Sequence, residues 1–424
     1  MRQRTVLAAA AALAVAAAAV TLALVRPGGP GTDDGDVGPG PSAAAAVVDQ
    51  RLPTADDLVG VGTVRALDGR RGWRVGGTSA NTAGSGTTSV CQRGRFADPD
   101  GLAALVRTFR GPGARGDRST VVQSVEVSRS ARQAARAYRT VQQWYAGCRV
   151  ARLQLLDAYR VDGVGDAASV LTMRIWTAPV TTVSVSVART RAVTTSTVTT
   201  TVGARAPGPD RLTSALSATV TRLCARSGAP ACVRRARHRR VPPPAAGGER
   251  GILAVADLPP VGRVDEPWVG IRTVRFRGDR PTTSCDRAEF FASGATRART
   301  RTYLVPRAPL PARFGLTTTY ATFPADRGAV RFLAGVRSSV AGCEERDLAT
   351  QVGAERRPRG ADASAWDLTT EVSPDRDVRF RLGFVRVGRH VAQLTFTPSD
   401  ADDMSRAAFD ALLLRAGDRL RELA

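Results

Sequence analysis

The six cysteines are the residues of this chain whose type and spacing say most about its chemistry. Cys91 and Cys148 are 57 positions apart, and Cys285 and Cys343 are 58 positions apart. Each interval ends in the same Ala-Gly-Cys tripeptide after a helix-like stretch. This spacing indicates that one module occurs twice in the chain.

The duplication also predicts how the cysteines pair, although six cysteines allow 15 pairings in principle. The second module contains only Cys285 and Cys343, so these two pair if each module folds independently. By equivalence the first two cysteines of the chain pair with each other, and Cys224 is left for Cys232. Such bonds need an oxidising compartment, which points to an exported protein.

Catalytic and metal-binding motifs have little support in the sequence. No lysine occurs, which removes phosphate-loop and Schiff-base chemistry. Neither Cys-x-x-Cys nor Gly-x-Ser-x-Gly occurs, and the only histidines are His238, within an arginine run, and His390, after a predicted turn. We therefore predict no cofactor, no metal site and no catalytic residue. A carboxylate-dependent hydrolase is a less favoured alternative, because its two acids can come from distant positions.

Three aromatic side chains are weak candidates for lining a ligand pocket, namely Trp144, Tyr145 and Trp176. Trp144 and Tyr145 end the apolar face of a predicted helix. Aromatic residues at such a position are more typical of a core than of a binding site. The sequence therefore leaves the ligand-binding residues unknown.

A run of arginines precedes three consecutive prolines near the middle of the chain, which has a formal net charge of +23. We interpret residues 233–250 as a basic, proline-rich linker between the modules, because charge runs are usually solvated. The alternative is a contact with anionic lipid headgroups or acidic polymers. The arginines in question are Arg234, Arg235, Arg237, Arg239 and Arg240.

The N-terminus has the pattern of a signal-anchor. Arg2 and Arg4 precede an uncharged, almost entirely apolar run from Val6 to Val25. A helix of this length spans about 30 Å, the thickness of the hydrocarbon core. Because the arginines stay on the cytoplasmic side, we predict a single-pass cell-membrane protein whose remaining chain is extracytoplasmic. Secretion after signal cleavage is the alternative. Export argues against a nucleic-acid partner.

The same order of strand and helix patterns recurs in both modules. A strand of period two precedes an amphipathic helix, followed by a hairpin of alternating strands and a closing helix. This order predicts an α+β fold of two tandem similar domains, each a mainly antiparallel twisted sheet with packed helices, tied by disulfides. The predicted parts are the signal-anchor (1–25), a Pro/Gly-rich linker (26–46), module one (47–232), the basic linker (233–250) and module two (251–424).

Module one also resembles a known family. The stretch Val121-Val122-Gln123-Ser124-Val125, the Ala-rich helix after it and the ending Trp144-Tyr145-Ala146-Gly147-Cys148 are similar to the extracellular sensor domain of PknH-type actinobacterial Ser/Thr kinases. The opening from Leu52 to Leu58 is also similar, and module two is similar more faintly. The resemblance implies an α+β domain with disulfides and a cleft for an unidentified ligand, here without a kinase domain.

Together these observations predict an exported, membrane-anchored envelope protein whose tandem sensor-like modules bind a ligand without catalysis. The expected partners are the cytoplasmic membrane, through the N-terminal helix, and an unidentified small ligand or envelope component. An adhesive or structural role in binding anionic envelope polymers or lipid headgroups is the main alternative.

Overall fold

The computed structural model describes residues 52–113, 118–224, 232–246, 249–278 and 283–423. Within these ranges the chain forms six α-helices and sixteen β-strands. The helices are α1 (Val61–Leu67), α2 (Ala131–Ala146), α3 (Pro209–Cys224), α4 (Asp326–Ala341), α5 (Cys343–Arg346) and α6 (Arg406–Leu420). The first eight strands are β1 (Arg74–Ser79), β2 (Ala103–Pro112), β3 (Arg118–Val127), β4 (Leu153–Val164), β5 (Ala167–Ile175), β6 (Thr181–Thr190), β7 (Val193–Val202) and β8 (Val233–Arg240). The others are β9 (Val269–Gly270), β10 (Val274–Arg275), β11 (Arg297–Leu304), β12 (Gly315–Thr322), β13 (Thr350–Val352), β14 (Asp362–Ser373), β15 (Arg376–Val387) and β16 (His390–Thr397).

The strands form two antiparallel sheets with the same plan. In module one the order is β1-β2-β3-β7-β6-β5-β4-β8, and in module two it is β10-β11-β12-β16-β15-β14-β13, with β9 beside β11. In both sheets a strand leads into a long helix, and a meander then returns to pair with that strand. The predicted α+β class with two similar antiparallel sheets is therefore confirmed.

Each sheet lies between helices on its two faces, and successive side chains of a strand point to opposite faces. On β6, Val183, Val185 and Val187 pack with α2, whereas Ala188 packs with α3. On β14, Ala365 packs in the cluster of α6 and the next residue, Trp366, packs in the cluster of α4. This period of two places every second side chain on the same face.

The long helix α2 begins and ends as its sequence predicts. The Ser130 hydroxyl accepts a hydrogen bond from the backbone N–H of Gln133 and caps the first turn. The buried side of the helix carries Ala137, Val141 and Tyr145, which pack on the sheet. Helix α4 has the same length and the same relation to its sheet.

Three disulfides join the cysteines in the predicted pairs, Cys91–Cys148, Cys224–Cys232 and Cys285–Cys343. In each module the long-range bond ties a loop before the central strands to the C-terminal end of the long helix. The Cys224–Cys232 bond, between cysteines eight positions apart, joins the end of α3 to the start of β8.

The interpretation of 233–250 as a linker is wrong for its first half, which is strand β8. The strand pairs with β4, for example His238 with Val161, and extends the sheet of module one to Arg240. Val233 and Ala236 pack against the α3 cluster. The arginines between them keep their charged groups in water while the backbone pairs with β4. The number of charges in a segment therefore does not show whether it is a linker or an edge strand.

A buried ion pair inside module two also binds the proline segment that precedes this module. Arg419 on α6 is 1% exposed and donates to both carboxylate oxygens of Asp257, at 2.8 and 3.1 Å. It also donates to the carbonyls of Pro243 and Pro244 and to Glu422. Burial alone would lower the pKa of Arg419, but the charges of Asp257 and Glu422 raise it above its ordinary value. One side chain thus connects the last helix, the opening turn of module two and the proline segment.

The predicted signal-anchor (1–25) and the Pro/Gly-rich linker (26–46) lie outside the described residues. Among the residues that the structure describes, no helix is long and apolar enough to span a membrane.

Candidate functional site

A wide cleft lies in module one, on the α2 face of the sheet. Its volume is about 560 Å³, which falls within the usual range of small-molecule sites. Helix α2 forms one wall, the segment Val241–Pro244 forms another, and the paired strands β4 and β5 form the floor. The proline segment that follows β8 is therefore part of the site.

Two glycines shape the floor where β4 turns into β5. Gly163 and Gly165 have positive φ values of 79° and 58°. A Cβ at Gly163 would lie 2.6 Å from the carbonyl oxygen of Arg235, and one at Gly165 would lie 2.4 Å from that of Arg189. Only glycine fits these positions, so the turn can approach the neighbouring strands closely.

Three neutral polar side chains converge inside the cleft. Gln142 Nε2 donates to the hydroxyl oxygen of Tyr138 at 3.1 Å and to Ser169 Oγ at 2.9 Å. Burial raises the pKa of the Tyr138 phenol, although the Ser169 hydroxyl and the charges of Arg160 and Arg189 lower it in part. These side chains come from α2 and β5, and they can donate to and accept from a ligand.

Charged residues surround this neutral centre in pairs. On β4, Arg160 Nε lies 2.7 Å from Asp162 Oδ1, and Arg239 on β8 lies 3.6 Å from the same carboxylate. Arg189 Nη1 lies 3.1 Å from Asp166 Oδ2 in the turn before β5. Because each carboxylate has an arginine partner, neither carries an unbalanced negative charge into the cleft.

Module two repeats the centre of this site, but with its own carboxylate in it. Arg337 Nε on α4 donates to Ser364 Oγ at 2.8 Å, as Gln142 donates to Ser169 in module one. The Ser364 hydroxyl then donates to Glu355 Oε1 at 2.7 Å. Arg337 also pairs with Asp362. Burial would raise the pKa of Glu355, but hydrogen bonds from Arg357 and Ser364 and the charge of Arg337 lower it overall.

The strand register identifies the residue of module one that stands in place of Glu355. Arg356 pairs with Ala365 on β14, and Tyr159 pairs with Val170 at the equivalent place on β5. The residue before Tyr159 is Ala158, which lines the cleft. A methyl group thus stands in module one where module two has a carboxylate side chain.

The three aromatic candidates lie elsewhere. Tyr145 is 2% exposed, and its hydroxyl lies 2.8 Å from Ser89 Oγ in the core beside the disulfide. Trp144 packs against the same cluster. Trp176 donates to Gln154 at 3.2 Å, and Arg174 lies 4.9 Å from its ring centre. None of the three lines the cleft.

Sequence reasoning did not identify Tyr138, Gln142 or Ser169 as site residues. Tyr138 belongs to an apolar helix stripe, and single Gln and Ser residues carry no motif. An alignment of the two modules contains the missing signal, because Gln142 and Ser169 correspond to the charged Arg337 and to Ser364.

The five arginines of β8 divide into paired and unpaired ones. Arg239 and Arg240 lie near Asp162 and Asp157. Arg234, Arg235 and Arg237 are exposed, and no ion pair joins them to any acid among the described residues. They form a positive row along the edge strand of the sheet, which we call the arginine edge.

The histidines take structural positions. His390 is 4% exposed, and its Nδ1 lies 3.0 Å from the Thr322 hydroxyl. Burial and the charge of Arg389 lower its pKa. His238 packs edge-on against Tyr159. In the described part of the chain, no three His, Cys, Asp or Glu residues are placed to hold a metal ion.

Comparison with known proteins gives no family for the chain. No protein-family model matches it, and no curated protein is significantly similar to it. Among solved structures, it is similar to that of DynU16, a protein of the dynemicin biosynthetic locus, at 12% identity over 72% of this chain and 94% of that chain. The TM-score is 0.12, so this likeness carries no argument about fold or function.

Proposed function

We propose that the chain is an exported, membrane-anchored envelope protein whose module one binds a small ligand, without catalysis, in the cleft beside α2. Export is supported by the N-terminal apolar run and by three disulfides, which persist in oxidising compartments. The resemblance of module one to the sensor domains of PknH-type kinases supports ligand binding rather than turnover.

One observation carries the proposal. Ala158 lines the cleft of module one, and the equivalent position of module two is Glu355, whose carboxylate binds Ser364 and Arg337. Module two therefore contains an internal group in the place where module one has room for an external one. By this comparison the ligand carries an oxygen acceptor, most simply a carboxylate, that receives a hydrogen bond from the Ser169 hydroxyl.

A ligand-observed NMR screen of the full chain tests this proposal. Small carboxylic acids and their matched primary amides are compared, and we expect the acids to bind. Ala158→Glu introduces the side chain of module two and abolishes binding. Ala131→Glu, at an exposed position in the first turn of α2, is the control and leaves binding unchanged. Equal binding by the parent chain and Ala158→Glu would refute the assignment of the site.

The arginine edge supports a second candidate function, the binding of an anionic surface. Arg234, Arg235 and Arg237 are exposed and lack carboxylate partners among the described residues, so their charge is available to an anionic polymer or lipid. Binding to phosphatidylglycerol vesicles should weaken steeply as salt rises and should fall when the three arginines are replaced by glutamine. Binding that is indifferent to salt would remove this candidate.

A further inference from the structure

A second cavity lies where the two modules meet, apart from the cleft. Its volume is about 320 Å³. Module one contributes residues 154–156 of β4 and Arg240. Module two contributes residues 359–361 and one side of α6. Strand β4 has a bulge here, between Leu155 and Asp157 in its pairing with β5. The bulge turns the Leu156 carbonyl toward α6, where Arg415 donates to it.

Arg415 is the central side chain of this cavity and is only 8% exposed. Its Nη2 donates to the carbonyls of Leu155 and Leu156, and its Nε lies 3.9 Å from Asp257 Oδ1. Its Nη1 is buried and makes no hydrogen bond to any described residue, since the nearest carboxylate oxygen, of Asp418, is 3.9 Å away. A buried guanidinium N–H without an acceptor is costly, so an acceptor from outside is expected.

The charges around the cavity favour an anion. Four arginines line it, together with two aspartates. Asp257 is bound by Arg419, and Asp418 by Arg421, so both carboxylates are already neutralised. Arg359, by contrast, is exposed and has no ion-pair partner among the described residues. The cavity therefore has unused guanidinium donors and a positive balance.

We propose that this junction cavity is a binding site for a small molecule that carries an oxyanion group, a phosphate or a carboxylate. Guanidinium groups recognise both groups through paired N–H donors. The cavity is wider than a bare phosphate needs, so the oxyanion is carried on a small polar body. Arg415 Nη1 and Arg359 donate to it. A ligand held here contacts both modules and stabilises their packing. The site is separate from the cleft and does not depend on the function proposed for it.

The test uses the full chain with three probes at constant ionic strength: inorganic phosphate, glycerol 3-phosphate and succinate. Isothermal titration and the shift in Tm are measured together. Binding of either phosphate probe with one site per chain supports a phosphate ligand, and stronger binding of succinate supports a carboxylate. If no probe binds at concentrations up to about 10 mM, which corresponds to a very weak site, the proposal is overturned.

Matched variants test whether the probes bind in the cavity. Ala411 is an exposed α6 residue one turn before Arg415, and Ala411→Glu places a carboxylate in the cavity mouth without removing any contact. It should abolish probe binding, whereas Ala411→Gln should retain it. Arg359→Gln should weaken binding about tenfold, and Arg376→Gln, at an exposed arginine outside the cavity, should not. Unchanged binding in Ala411→Glu would place the anion elsewhere and overturn the proposal.

Discussion

Replacing Arg419 should be among the most destabilising single changes in this protein. Arg419→Met keeps most of the aliphatic volume but removes every donor that Asp257 receives from this side chain. The side chain of Asp257 has no exposed surface, so its carboxylate cannot be solvated in exchange. Removing one partner of a buried ion pair costs about 3–5 kcal/mol of unfolding free energy. The carbonyls of Pro243 and Pro244 also lose a donor, so we expect a value near the upper end of that range.

Equilibrium urea denaturation, followed by circular dichroism and tryptophan fluorescence, measures this change. The matched control is Arg222→Met at the end of α3. Arg222 is exposed and makes one long contact, 3.5 Å to the carbonyl of Asp56. Its replacement should cost less than about 1 kcal/mol. The double variant Arg419→Met/Asp257→Leu should recover much of the loss, because a buried pair can be replaced by apolar groups at little cost. If Arg419→Met alone costs no more than the control, the buried carboxylate of Asp257 does not depend on Arg419 and the reasoning is refuted.

Three further predictions concern stability. Thr197 and Thr199 carry buried hydroxyls without a partner among the described residues, so Thr→Val at either position should raise the unfolding free energy by about 1 kcal/mol, and a lower Tm would mean that bound water satisfies them. Cys285→Ser/Cys343→Ser should cost about 4 kcal/mol by loop-closure entropy, and a Tm unchanged from that of the parent would show that the bond constrains little in the unfolded chain. Burial raises the pKa of Tyr145 to about 12; because the folded pKa is raised, this stabilisation is present below about pH 10 and is lost as the pH rises through 12. Absorbance titration of tyrosinate should therefore show Tyr145→Phe removing a late-titrating group, and early titration of every tyrosine would contradict its burial.

The alternation of side chains and the position of the cysteines were sufficient to predict the fold class. Val183, Val185 and Val187 alternate with small polar residues, and this period of two indicates a β-strand with one apolar face. The cysteine pairs followed from the repeat alone. Strand β8 was missed because its pairing with β4 is decided by tertiary contacts of Val233 and Ala236, while its sequence is dominated by arginines.

The site was harder to predict than the fold, for a physical reason. Gln142 and Ser169 are ordinary polar residues, and their meaning comes from their distance of 2.9 Å across two elements. Ala158 is even less conspicuous, because its contribution is the absence of the side chain that Glu355 has in module two. The spacing of residues along the sequence shows neither the Gln142–Ser169 contact nor the equivalence of Ala158 and Glu355. Both become visible when the strand registers of the two sheets are compared.

Two differences between the modules favour module one as the functional half. Where module one has Thr197 and Thr199 facing α3, the register of module two places Leu394 and Phe396 in the α6 cluster. Module two thus buries apolar groups where module one buries unpartnered hydroxyls. Module two also has the Glu355 carboxylate, paired with Arg337, at the position that Ala158 takes in module one. Both differences favour the stability of module two, and features that cost stability are expected where a protein functions. We infer that module one is the ligand-binding half. Module two contacts it through Arg415 and, through Arg419, holds the proline segment that forms one wall of the cleft.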